Sequence, residues 1–309
     1  MSGWIWLPHP RDANQRQLLR WLVLRDVTKQ STDLQLILVD RLEEELQVGI
    51  DTSKTTKLSD TYLRRLVANI AHLKQLWFVT RCRQYELTDV AERGTFLEAR
   101  LQTIWNWTRL QVAPSEEATS QNAMTFFDDI ELWVEQADPM DRQRMERAVR
   151  DGFVFWLAKY DLDETPMTTK QDLARRIVRE LNRGMGKGLT PFTLTAPDRV
   201  RLRKNFLGML EAWFRSLSSE YATLPQSKEK RNAFIDKVLD QVFRWNLTRI
   251  WSQLDSSSKM GVQSALGELQ KWVARADKNE QQKLRSFGRD LQRRAIWRFT
   301  TGKFPKPGK

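Results

Sequence analysis

Residues 63–77 read LRRLVANIAHLKQLW. Leu63, Leu66, Ile70, Leu73 and Trp77 step by three and four, the spacing of one apolar helix face, and His72 falls off that phase and is expected to face solvent. Comparable spacing runs through most of the chain, so the expected fold class is all-α. Turn-rich breaks fall at Gly49–Lys57, Pro114–Thr119, Gly184–Pro197, Leu224–Lys228 and Asp255–Ser258. Between them the first stretch divides into helices at about 13–27, 33–48, 60–85, 95–111 and 122–137. Start signals agree: Asp138 precedes Pro139, and Asp277 with Glu280 forms a capping pair. Leu34–Val39 also fits a buried strand, and Leu189–Leu194 a short extended segment.

The chain then spells the same unit a second time. Trp21-Leu22 with Asp26 returns as Trp156-Leu157 with Asp161, and Trp77-Phe78 with Tyr85 as Trp213-Phe214 with Tyr221. The string W-N-x-T-R starting at Trp105 returns at Trp245, Trp133-Val134 at Trp272-Val273, and Arg150-Asp151 at Arg289-Asp290. The order is kept and the spacing drifts by only a few residues, as loop insertions produce. A further copy of the first helix is expected around Arg285–Phe299, as a stacked array needs a terminal element. The expected organisation is two tandem helical-bundle repeats of about five helices each, at 1–145 and 146–284, with a capping helix and flexible tail at 285–309. Tryptophans that recur at matching places are expected in the core, because large aromatics dominate buried area; Trp4 and Trp6 fall outside the repeat.

The two halves differ in charge. Residues 1–150 carry 20 Lys/Arg and 22 Asp/Glu, whereas residues 151–309 carry 31 and 17, so the second half accounts for the net charge of +12. Such asymmetry points to a polyanion or an anionic surface as partner. Within Lys170–Lys204, Arg175, Arg176, Arg179 and Arg183 are expected on one side of a helix, away from Leu173, Ile177 and Leu181. Lys187 follows in a Gly-rich turn, and Arg199, Arg201, Arg203 and Lys204 open the next helix. Arg285, Arg289 and Arg293 align at a spacing of four beside an apolar stripe of Leu284, Phe287, Leu291 and Ala295. Arginine suits bidentate contacts with phosphate.

Catalytic and metal-binding patterns are absent from the sequence. His9 and His72 are its two histidines and Cys82 its one cysteine, so the usual ligands of zinc and di-iron sites and the bases of nucleophilic triads are missing. RGMGKGLT at 183–190 departs from a Walker loop, because Gly188 stands where a hydroxyl residue is needed. The acidic runs Asp40 with Glu43–Glu45 and Asp128-Asp129 with Glu131 are expected to be solvated faces. No cofactor or metal is expected. The expected function is non-enzymatic binding of nucleic-acid phosphates by the second repeat, without strong sequence discrimination. The alternatives are a scaffold that binds an acidic protein or self-associates head to tail, and a peripheral protein on anionic lipid. One cysteine and an opening segment without a basic start or long apolar run lead to a cytoplasmic expectation.

Overall fold

A computed structural model describes residues 7–49, 58–109, 129–182, 194–245 and 262–303. Among them every regular element is helical: α1 (Gln15–Leu24), α2 (Thr32–Val48), α3 (Asp60–Leu87), α4 (Arg93–Arg109), α5 (129–136), α6 (Pro139–Lys159), α7 (Met167–Asn182), α8 (Ala196–Thr223), α9 (Lys228–Arg244), α10 (Val262–Arg275) and α11 (Lys278–Thr300). Leu34–Val39 is therefore helix rather than strand. Its start is fixed by Ser31, whose hydroxyl accepts from the Leu34 N–H, and Gly49 ends it at φ 103°. The segment 183–190, the first five residues of Leu189–Leu194, Trp4, Trp6 and the breaks at Pro114–Thr119 and Asp255–Ser258 lie outside the described residues.

The chain forms two compact units, Met1–Gly152 and Phe153–Lys309, and the division falls inside α6. Asp138 caps that helix, accepting from the N–H groups of Met140 and Asp141 at 3.0 Å each.

In unit one, α3 is the central helix, with α1, α2 and α4 against it. Leu66, Leu73 and Trp77 on α3 are buried with Leu18, Leu22, Leu38 and Leu42. Amid that apolar face sits a buried asparagine. The Asn69 amide donates to the carbonyls of Leu22 (2.6 Å) and Arg25 (2.7 Å), and its oxygen accepts from the Val27 N–H at 3.0 Å. These are backbone groups that the end of α1 leaves unpaired, in a place water does not reach. Arg65 adds a bond to the Leu24 carbonyl at 3.1 Å.

Unit two has the same set of bonds around α8. Asn205 donates to Leu157 (2.7 Å) and Tyr160 (2.6 Å) and accepts from the Leu162 N–H at 3.2 Å. Arg201 reaches the Ala158 carbonyl at 3.1 Å. The Tyr85 hydroxyl donates to Asp151 at 3.0 Å in unit one, and Tyr221 to Asp290 at 2.9 Å in unit two. Arg93 lies over the Tyr85 ring and Arg231 over Tyr221. Phe78 meets Trp133 as Phe214 meets Trp272. The rings paired with Trp77 and Trp213 are Trp107 and Trp245. Contact thus matches Trp245 to Trp107, two residues on from the Trp105 of the W-N-x-T-R alignment.

Two expectations about charge change at this level. Glu43 is not on a solvated face. It is buried on α2, ion-paired with Arg81 and Arg100 and accepting from the Thr103 hydroxyl at 3.3 Å. His72 is half-buried rather than open, its Nε2 2.8 Å from Gln35 Oε1, and burial holds its imidazole below the usual value.

Asn205→Ala leaves two carbonyls and one N–H without partners inside unit two. We expect a loss of about 3 kcal/mol in urea unfolding followed by tryptophan emission. A loss under about 0.5 kcal/mol would show that the bracket carries no stability.

Candidate nucleic-acid interface

The first nominated cluster is dispersed by the fold. Arg176 is only 6% exposed and lies over the Phe153 ring, with Cζ 5.6 Å from its centroid. At 100° per residue it falls within 60° of Leu173, so it belongs to the buried stripe of α7 and not to the arginine face. Arg175 and Arg179 do point outward, and Arg175 pairs with Asp172 at 3.2 Å. Arg183 and Lys187 lie outside the described residues.

On α8 the basic residues are turned to local use. Arg199 donates to the Leu194 carbonyl at 2.8 Å, next to the Thr195 cap of its own helix. Arg201 caps the end of α6, as Arg65 caps α1. Lys204 is ion-paired with Asp163 and lies 3.7 Å from Asp161. The hydrogen bond to Asp163 raises the Lys204 ammonium above its usual value. Arg203 is partly covered. Arg199 and Lys204 stay exposed alongside Arg175 and Arg179, but these local bonds and the burial of Arg176 break up the basic face that the spacing predicts.

The second cluster keeps its alignment. Arg285, Arg289 and Arg293 project from one side of α11, the last two with side chains 63% and 72% exposed. Consecutive members are one turn apart, about 6 Å along the axis. Asp290 stands 4.0 Å from Arg289 and 3.9 Å from Arg293, and it is already engaged by the Tyr221 hydroxyl. Behind the row, Leu284 and Phe287 are buried, which fixes the rotation of the helix and so the direction of the arginines.

Beside the row, among the described residues, a groove of about 1090 Å³ runs between α10 and α11. Leu269, Val273, Ala274 and Leu284 line it with Gln270, Gln281, Gln282 and Gln292, while Lys278, Arg285 and Arg289 stand along it. No carboxylate is among its lining residues. Gly288 permits the close approach of the two helices, since a Cβ there would stand 3.3 Å from Leu269 Cδ2 and 3.9 Å from Phe214 Cζ. The groove offers amide donors and acceptors and cations over an apolar floor. It has no nucleophile paired with a base. Among the described residues, no group of three or more His, Cys, Asp or Glu is placed to hold a metal.

Farther along, α11 is clamped to α9. Asp236 accepts from Arg294 Nε at 2.8 Å and NH2 at 2.6 Å, and Asp240 accepts from the buried Arg298 at 2.6 Å. Hydrogen bonding from Arg294 holds the Asp236 carboxyl below the usual carboxylate value, against an opposing push from burial. These two arginines are structural, although in the sequence they look like part of the basic row. The distinguishing signal was present: Asp236 and Asp240 are spaced four apart, as are Arg294 and Arg298.

No family model, no curated protein and no solved structure matches the chain.

The lowered value of Asp236 has a definite sign. Its contribution is present above the ordinary aspartate value, about 3.9, and is lost as pH falls through the lowered one. Asp236→Asn is therefore expected to cost about 2 kcal/mol in urea unfolding at neutral pH. That gap should close as the solution is acidified. A gap that stays constant into strong acid would contradict the clamp.

Proposed function

We propose that the chain is a non-enzymatic binding protein, one helical unit used twice, that holds nucleic-acid phosphates along the arginine row of α11. The observation that carries this reading is the row itself. Three outward guanidinium groups stand one turn apart beside a groove with no carboxylate in its lining. Guanidinium groups bind phosphate oxygens bidentately, and repeated spacing suits a repeated anion. The groove brings glutamine amides rather than an arrangement for reading one base pair, so sequence preference is weak.

The matching asparagine brackets, Tyr–Asp bonds and aromatic pairs support a duplicated unit. In the register that sets Asp290 against Asp151, Arg289 answers to Arg150, Arg285 to Glu146 and Arg293 to Val154. Two of the three arginines thus have no counterpart in unit one and are not requirements of the unit's fold. Arg201 is the opposite case, since Arg65 does the same work.

The test is fluorescence anisotropy of the full chain with a labelled oligonucleotide over a salt series. Log affinity should fall linearly with log salt and respond little to base sequence. The triple replacement Arg285→Ala, Arg289→Ala, Arg293→Ala should weaken binding at least about tenfold and reduce the salt slope by about 2. Absence of binding at low salt, or an unchanged slope in the triple variant, would remove the reading. An acidic protein as the true occupant would give the first of these results.

A further inference from the structure

Past its arginine row, α11 ends on large apolar side chains. Ile296 is 56% exposed and Phe299 79% exposed. They are three residues apart and share a face, and Ile296 follows Arg293 by the same interval. α9 and α11 run in the same direction here, because Asp236 holds Arg294 while Asp240 holds Arg298 one turn on. The exposed Phe243 and Arg244 of α9 therefore lie at the same end of unit two as Phe299 and the exposed Lys303. Trp297, also exposed, has Arg294 Cζ 4.0 Å and Lys303 Nζ 4.8 Å from its ring centroid.

Leaving this much apolar area in water at one end of a unit is unfavourable, and its concentration marks a contact surface. Ile296 and Phe299 gain nothing from a phosphodiester chain. The Trp297 ring already holds two cations close by, so it is a poor platform for stacking bases. An indole beside cations at an apolar edge suits the boundary between water and lipid. The surrounding charge is complementary to an anionic headgroup layer.

We propose that this end of unit two docks on an anionic lipid bilayer. Ile296, Phe299 and Phe243 enter the headgroup boundary, and Arg244 and Lys303 meet lipid phosphates. Neither signal suffices alone, since shallow apolar insertion and a few cations each bind weakly; together they make a stable anchor. The contact is peripheral, and no helix among the described residues is long and apolar enough to cross a membrane. The proposal does not rest on the nucleic-acid reading.

The experiment is co-sedimentation of the full chain with phosphatidylcholine vesicles, with and without phosphatidylglycerol. The protein should pellet with the phosphatidylglycerol vesicles and stay in solution with phosphatidylcholine alone. The double replacement Ile296→Ser, Phe299→Ser touches exposed positions, so circular dichroism and oligonucleotide affinity should be unchanged. Its vesicle partition should fall at least about tenfold. Failure to pellet with phosphatidylglycerol vesicles, or equal pelleting of the double variant, would overturn the proposal. A variant that loses oligonucleotide affinity or self-association while still pelleting normally would overturn it too.

Discussion

A buried asparagine on the central helix of each unit is the constraint on which the rest depends. A helix that stops inside a core leaves carbonyls with no partner, and an apolar core cannot supply one. Asn69 and Asn205 solve this by reaching across to the ends of α1 and α6, with two donors and one acceptor placed on backbone groups. An aliphatic residue would pack as well but leave those groups orphaned. The bracket therefore fixes where the first helix of each unit ends and how the chain turns toward α2 or α7. Arg65 and Arg201 extend it with one more carbonyl each.

From that fixed centre the charges of unit two sort into two kinds. Arg201, Lys204, Arg294 and Arg298 bond to carbonyls or carboxylates of their own unit and hold elements together. Arg215 is a deeper example, paired with Glu211 at 2.7 Å and with Glu280. Burying such groups is tolerable only because each has a partner at close range. Arg285, Arg289 and Arg293 are of the other kind, held outward by the burial of Leu284 and Phe287 behind them. Net charge alone does not separate these kinds; burial and the closeness of the partner do, since Asp290 stands at 3.9–4.0 Å from exposed Arg289 and Arg293 while Asp240 stands at 2.6 Å from buried Arg298.

The helical class was legible because the α3 and α11 stripes keep one phase over several turns. Four of the recurring tryptophans, Trp77, Trp133, Trp245 and Trp272, are buried as expected, whereas Trp21, Trp156 and Trp213 are half-buried and Trp297 is exposed. The continuity of α6 was not legible. After Gly152 its residues are buried on several sides, Phe153, Val154, Phe155, Leu157 and Ala158 together, so a one-stripe reading loses its phase there. Arg176 was misplaced for a related reason. A guanidinium near the edge of an apolar stripe can be covered by an aromatic ring, and sequence spacing does not reveal the ring. Spacing alone makes Glu43 a surface acid, because its partners, Arg81 and Arg100, are brought in from other helices. The asparagine bracket left a usable trace, since Asn69 and Asn205 interrupt apolar helix faces 136 residues apart, the spacing of Trp77 and Trp213.

The central claim is that unit two meets nucleic-acid phosphates through one face of α11. Arginine modification by phenylglyoxal, mapped by mass spectrometry on the full chain with and without an oligonucleotide, tests it most directly. Arg285, Arg289 and Arg293 should be protected by the oligonucleotide, while exposed Arg175 and the arginines of unit one keep their reactivity. Undiminished modification of all three, with protection elsewhere or nowhere, would contradict the account.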